Sequence, residues 1–172
     1  MHILNNDKTL SQYLSEVKDQ NIYIVSAFAN GTEDIIKKLI DQNKHVELII
    51  GTINAFSSVD FIKSCVKKAK NNEKFDFYVD FRYENSVHWK LYTVSPNLII
   101  IGSANLTIKG LSLSRDTCIS VKNQVLYNDY LKKIPEVINS KSSDFSDKLN
   151  EYKEAHKKTA SCHIYIILQN YP

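Results

Sequence analysis

The chain has 172 residues, 24% of them charged and 43% hydrophobic, and carries a formal net charge of +3. This length predicts one domain with an adequate core, and the mildly basic charge permits an anionic partner without requiring one. Three cysteines without C-x-x-C spacing argue against a disulfide framework or a zinc site. No apolar run is long enough to span a membrane, and the polar first segment is unlike a secretion signal, so we expect a cytoplasmic protein without membrane contact.

Helical and strand patterns alternate in the first half of the chain. Apolar residues recur at helical spacing in three segments, and short apolar runs lie between them. The predicted elements are a helix carrying Leu10, Tyr13, Leu14 and Val17, a strand at Asn21–Ala29, a helix capped by Thr32, a strand at His45–Gly51, a helix at Val59–Lys70 capped by Ser57 or Ser58, and a strand at Lys74–Asp80. This alternation predicts a layered α/β sheet.

Strands then follow one another with little helix between them. The predicted elements are strands at His88–Val94, Leu98–Ala104 and Asp116–Lys122, a turn at Ser95–Asn97, a loop or short helix at Thr107–Ser114, and a helix at Gln124–Ile138 that Pro135 ends or kinks. The polar C-terminal part ends on an apolar segment, Ser161–Pro172, which we predict to be a last strand. That segment either packs on the domain or begins a further domain.

Polar residues occupy regular positions in the two central strands of this second half. Because side chains alternate along a strand, His88 and Lys90 are predicted to share one face, with Trp89 on the other. The same alternation places Ser103 and Asn105 together, and Gly102 leaves room for a close approach to the backbone. An imidazole, a cation and two neutral hydrogen-bonding groups on one surface suit a phosphate ester.

The spacing of these residues resembles the motif of the phospholipase D superfamily, H-x-K-x4-D-x6-G-S-x-N. Every fixed position matches His88, Lys90 and the run Gly102–Asn105, except that Ser95 stands where the motif has Asp. The run GSANLTIKGL is similar to the bacterial nuclease branch, including its restriction endonucleases. Asp116 stands at the carboxylate position, where Glu is usual.

The resemblance implies an α/β phospholipase D-like fold, a mixed β-sheet flanked by helices with one motif per chain. We assign residues 1–140 to this domain and residues 141–172 to a C-terminal extension. His88 is expected to be the nucleophile, and Lys90, Ser103 and Asn105 are expected to bind the phosphate oxygens. Asp116 is expected to accept the far ring N–H of His88. No metal or cofactor is expected, because the lysine and the asparagine stabilise the charge.

The function implied is that of a metal-independent endonuclease that hydrolyses DNA through a covalent phosphohistidine. Attack on phosphorus and protonation of the leaving oxygen occur on opposite sides, so one histidine cannot do both at once. Because the chain holds one complete motif, we expect an isologous homodimer with His88 of each subunit facing a shared cleft. A restriction-type enzyme of this kind often works with a further DNA-recognition domain or subunit.

Two other functions stay open. The loss of the motif carboxylate at Ser95 and the short side chain of Asp116 are compatible with a degenerate module that only binds nucleic acid or dimerises. A phospholipase or phosphatidyltransferase is the third hypothesis, although such enzymes usually carry two motifs in a longer chain. The basic segment Lys63–Lys74 is either a solvated helix face or a contact to the DNA backbone.

Overall fold

The computed structural model describes residues 1–4, 8–138 and 145–169, with side chains described as far as Thr159. The strands are β1 (His2–Leu4), β2 (Asn21–Ser26), β3 (Ala29–Asn30), β4 (His45–Gly51), β5 (Phe75–Asp80), β6 (Lys90–Val94), β7 (Leu98–Gly102), β8 (Leu106–Thr107) and β9 (Cys118–Lys122). The helices are α1 (Leu10–Ser15), α2 (Glu33–Gln42), α3 (Val59–Lys70), α4 (Ile108–Ser112), α5 (Gln124–Val137) and α6 (Phe145–Gln169).

Within the described residues, seven strands form one sheet in the order β1-β9-β7-β6-β2-β4-β5. The strands β2, β4 and β5 are parallel, because α2 and α3 carry the chain back across the sheet between them. In this sheet β6 pairs antiparallel with β2 and β7, and β7 pairs antiparallel with β9. A tight turn at Ser95–Asn97 joins β6 to β7, as antiparallel neighbours allow. The short strand β8 pairs parallel with β3 in a separate two-stranded sheet. The predicted mixed sheet with flanking helices is therefore confirmed.

The sheet separates two apolar clusters. Ile24, Leu48 and Tyr92 point into the larger one, which also receives the inner faces of α1, α2 and α3. Val25 and Ile49 point to the opposite face, where α5 covers them. Since neighbouring residues of one strand enter different clusters, the register of the sheet is fixed by burial on both faces.

The region after β2 differs from its prediction. The strand ends at Ser26 rather than Ala29, because Ala29 and Asn30 leave the large sheet and pair with Leu106 and Thr107. The cap of α2 also differs: Thr32 lies at the start of α2, but its hydroxyl donates to the Leu106 carbonyl at 3.3 Å. The β3–β8 pairing and this hydroxyl both connect the region to the segment after β7. The predicted cap of α3 is confirmed as Ser58, whose Oγ accepts the backbone N–H of Phe61.

The predicted last strand is wrong, because helix α6 extends from Phe145 to Gln169. The run of good helix formers before the apolar segment favours continuing the helix into it. Tyr152 of α6 is fully buried and its hydroxyl donates to the Ser57 carbonyl at 2.7 Å. This part of the extension packs on the domain, whereas residues 139–144 and 170–172 lie outside the described residues. In the described part of the chain no helix is both long and apolar enough to cross a bilayer.

Candidate active site

His88 and Lys90 lie where the chain enters β6, which begins at Lys90 and not at His88. The Lys90 Nζ atom donates to the His88 carbonyl at 3.1 Å and lies 3.0 Å from Nε2 of the His88 ring. The exposed His88 ring and the Lys90 amino group thus lie side by side at the start of β6. A neutral imidazole nitrogen is the form that can attack phosphorus.

Lys90 is half-buried, and its environment changes its acidity in two opposing ways. Burial lowers the pKa of Lys90, and the negative charge of Asp116 partly offsets this by raising it. The lysine and the carboxylate are therefore close enough to interact electrostatically. A cation that is partly desolvated binds a phosphate oxygen more strongly than one in open water.

Ser103 and Asp116 are joined directly. The Ser103 hydroxyl donates to Oδ1 of Asp116 at 2.7 Å and accepts the backbone N–H of Thr117 at 3.1 Å. In the described residues Ser103 is the side-chain partner of Asp116, and the expected hydrogen bond from the His88 ring to this carboxylate stays a prediction. Asp116 immediately precedes Thr117, which pairs through its carbonyl with the backbone N–H of Ser103, so the short side chain meets that serine first.

Gly102 is required by the neighbouring strand. A Cβ atom at this position would lie 2.1 Å from the carbonyl oxygen of Thr117 and 2.7 Å from Cα of Cys118. Gly102 pairs directly with Cys118 at the end of the β7–β9 ladder. The close approach predicted from this glycine is therefore made by β9, and it brings Ser103 against Asp116.

Asn105 does not share a strand face with Ser103, because β7 ends at Gly102 and the alternation stops there. Its Oδ1 lies 3.4 Å from the hydroxyl of Ser26, a buried residue at the end of β2. That hydroxyl donates to the Phe28 carbonyl at 2.7 Å and accepts the Leu106 N–H at 2.9 Å. Ser26 thus positions the segment that carries Asn105. The position of Ser26 at the end of an apolar strand was the one sequence feature that could have revealed this role.

Ser95, the departure from the family motif, lies at the opposite end of β6 from His88. Five strand residues separate the two ends, or roughly 16 Å at 3.3 Å per residue. The Ser95 hydroxyl accepts the backbone N–H of Asn21 at 2.9 Å and donates to the Gln20 side chain at 2.8 Å. The serine fastens a turn to β2, so the missing carboxylate does not remove a group from the site.

Replacing Ser95 with alanine is expected to lower stability without changing turnover. The loss of two side-chain hydrogen bonds at a partly buried turn costs about 1 kcal/mol. Chemical unfolding measures that cost, and initial rates of phosphodiester cleavage under folded conditions measure turnover. A large fall in the cleavage rate of the folded variant would place Ser95 in the catalytic machinery and contradict its structural role.

An open groove of about 1000 Å³ adjoins the site. Its polar end holds His88, Lys90 and Ser103, and its apolar wall includes Trp89 and Tyr130, whose rings meet edge to face at 6.2 Å. Trp89 is half-buried on this wall rather than inside the core. The groove offers more room than one phosphate needs and extends from the polar cluster along the sheet.

A mixed sheet with a histidine–lysine pair at the entry of one strand and a Gly-Ser-x-Asn run after the next defines the phospholipase D class of proteins. Residues 10–138 match the family model described as "Cardiolipin synthase, PLD-like domain". The chain therefore belongs to the phospholipase D superfamily. A search of curated proteins finds no match.

Solved structures of this superfamily share the fold at low sequence identity. Nuc, a phospholipase D family member from Salmonella typhimurium, is 16% identical with a TM-score of 0.55, over 76% of this chain and 84% of that chain. NucT from Helicobacter pylori is 12% identical with a TM-score of 0.52, over 74% and 86%. Phosphatidylserine synthase from Haemophilus influenzae Rd KW20 is 13% identical with a TM-score of 0.57, over 90% of this chain and 43% of that chain.

Proposed function

We propose that this chain is a metal-independent phosphodiesterase, an endonuclease that hydrolyses DNA through a phosphohistidine at His88. The observation that carries the proposal is the 3.0 Å contact between Nζ of Lys90 and Nε2 of the exposed His88 ring. It places a nucleophile and a cation side by side at the edge of an open groove. A phosphodiester needs both, because its negative oxygens must be neutralised before a neutral nitrogen can approach phosphorus.

The proposed reaction has two steps. The Nε2 lone pair of one His88 attacks phosphorus, the P–O bond to the leaving oxygen breaks, and the imidazolium of a second His88 gives that oxygen its proton. A water molecule then attacks phosphorus, gives a proton to the second imidazole, and releases the first histidine. Lys90 and Asn105 hold the non-bridging oxygens, and Ser103 with Asp116 forms a hydrogen-bonded pair beside them.

A second chain completes the site in this proposal. The acid must act on the side of phosphorus opposite the nucleophile, and each chain supplies one motif histidine. An isologous homodimer brings two His88 side chains to one axis, provided that the exposed edge of the groove faces its copy. Sedimentation at micromolar concentration is expected to give the mass of two chains.

DNA is the proposed substrate, with a restriction-type role. The run Gly102–Leu111 is similar to that of bacterial nucleases, and the fold is shared with Nuc and NucT. A fold likeness also exists to TrmBL2, described as an archaeal chromatin protein with a novel mode of DNA binding, at 13% identity and a TM-score of 0.53. Selection of a particular DNA sequence would require a further DNA-recognition domain or subunit.

Phosphatidyl transfer is the second candidate function. The matching family model carries the name of cardiolipin synthase, and phosphatidylserine synthase shares the fold. Both reactions use the same phosphohistidine, so the site geometry alone suits either. The leaving group and the group that accepts the phosphoryl differ, and a direct comparison of substrates separates them.

The test is cleavage of supercoiled plasmid in excess EDTA, run beside hydrolysis of phosphatidylglycerol vesicles under the same conditions. The proposal predicts nicked and linear DNA with chelator present, and no release of glycerol from the lipid. Release of glycerol without DNA cleavage would favour the phosphatidyl-transfer candidate. Binding of DNA with neither activity would favour the degenerate binding module.

The alkaline limb of the pH–rate profile is expected to report Lys90. Burial disfavours the charged ammonium and lowers the pKa of Lys90, so the cation is lost at a lower pH than for a solvated lysine. The rate of hydrolysis of bis(p-nitrophenyl) phosphate should therefore decrease at a pH below the range in which a solvated lysine loses its proton. A Lys90→Arg variant should keep its activity to higher pH, since a guanidinium stays protonated. An unchanged alkaline limb in that variant would assign the limb to another group.

A further inference from the structure

Three potential metal ligands lie side by side on the sheet, away from the candidate active site. His45 and Glu47 are two apart on β4 and therefore point to the same face. Asp76 of β5 is the direct register partner of Glu47. One nitrogen and two carboxylate oxygens are thus presented together by two adjacent strands, whose backbones are fixed by their ladder.

The distance between His45 and Asp76 fits two ligands of one bound ion. One ligand atom from each of the three residues lies within 4.8 Å of the other two. The Nε2 atom of His45 lies 3.5 Å from Oδ2 of Asp76, longer than the usual N–H···O bond. Two ligands about 2.1 Å from a tetrahedral ion are roughly 3.4 Å apart. The spacing therefore matches two ligands across an ion better than it matches a direct hydrogen bond.

The charges of the cluster are not balanced by the protein. Glu47 and Asp76 are like charges in direct register, an arrangement that destabilises a sheet. Among the ion pairs of residues 1–4, 8–138 and 145–159, none reaches Glu47, and Asp76 meets only the His45 ring. A divalent cation would neutralise both carboxylates at once. The neighbouring ring of Tyr23, 6.2 Å from that of His45, helps to fix the imidazole.

We propose that His45, Glu47 and Asp76 bind one divalent cation of the zinc type, with water in the remaining position. A nitrogen ligand with two carboxylates suits Zn²⁺ and Co²⁺, and selects against Mg²⁺, which prefers oxygen ligands alone. The ion would tie β5, the edge strand, to β4. The cluster shares the face of Val25 and Ile49, whereas Lys90 pairs with Ser26 at the other end of β2. The ion would therefore lie away from the candidate active site, and its role is structural.

The test is calorimetric titration of chelator-treated, dialysed full-length protein with Zn²⁺, and absorption spectroscopy with Co²⁺. We expect saturable binding of one ion per chain, a visible Co²⁺ band, and a rise of roughly 5–11 °C in melting temperature at 100-fold excess over Kd. Mg²⁺ should give none of these. The His45→Ala and Asp76→Asn variants should each weaken Zn²⁺ binding at least tenfold. Circular dichroism checks that both variants keep the fold.

Matched controls separate this site from other ligands in the chain. His2→Ala removes an exposed histidine from the other edge of the sheet, and His88→Ala removes the candidate nucleophile; both should bind Zn²⁺ as the wild type does. The proposal is overturned by absent saturable binding, by binding that survives in His45→Ala and Asp76→Asn, or by binding that disappears in His88→Ala. Because no readout depends on cleavage, this result is independent of the proposed nuclease activity.

Discussion

The His88→Ala variant is expected to lose DNA cleavage by roughly 10⁴-fold or more while remaining folded. Removal of a covalent nucleophile has effects of this size, because the remaining groups only bind and polarise the substrate. His88 is exposed and precedes β6, so its truncation leaves the core untouched. The measurement is the initial rate of plasmid nicking in EDTA, with circular dichroism as the check of fold.

The His2→Ala variant provides the matched control for this loss. His2 lies on the edge strand β1, away from the start of β6. The His2→Ala variant is therefore expected to cleave DNA at the wild-type rate. Equal cleavage by His88→Ala and the wild type would remove His88 from the role of nucleophile. Intact DNA binding by His88→Ala, with no cleavage, would agree with the proposed division between binding groups and nucleophile.

Gly102→Ala is expected to have the largest effect on stability. The added Cβ would overlap the Thr117 carbonyl at 2.1 Å, and the β7–β9 ladder fixes the two backbones that carry these atoms. Relief requires the two strands to separate where Ser103 meets Asp116. Overpacking of this kind costs about 3 kcal/mol, which lowers the melting temperature by roughly 6–12 °C. Calorimetric or chemical unfolding measures the change.

The neighbouring substitution Ser103→Ala separates steric crowding from the loss of polar contacts. It removes the hydrogen bonds to Asp116 and Thr117 without adding an atom near β9, so it should cost only about 1 kcal/mol. Similar losses of stability in the two variants would mean that the overlap at Gly102 is relieved by small local movement. In that case the strict requirement for glycine at this strand end would be wrong.

Much of the sheet was predictable because its strands are short apolar runs bounded by turns. The strand His45–Gly51 and the helix Val59–Lys70 have the predicted bounds. The departure of Ala29 and Asn30 from β2 was not predictable, since it depends on pairing with Leu106 and Thr107, more than seventy residues away along the chain. The prediction of a strand at Ser161–Pro172 was wrong, because apolar composition alone does not separate a strand from the end of a helix.

The candidate site shows the same division between local and distant information. The neighbourhood of His88 and Lys90 follows from a separation of two residues and was predicted. The bond from Ser103 to Asp116 depends on how β9 closes against β7, and that closure depends on Gly102. The hydroxyl of Ser26 reaches the Asn105 segment from a strand that sequence patterns assign only to the core. These contacts arise from tertiary packing, which local periodicity does not encode.

Trapping the phosphoenzyme shows directly whether His88 is the nucleophile. End-labelled DNA is mixed with wild-type protein in EDTA, quenched by alkaline denaturation, and the labelled peptide is identified by mass spectrometry. We expect DNA attached to the peptide that contains His88, through a bond that survives alkali and breaks in acid, as a histidine N–P bond does. The label should be absent from His88→Ala. Cleavage with a covalent adduct on another residue, or full cleavage by His88→Ala, would contradict nucleophilic attack by His88.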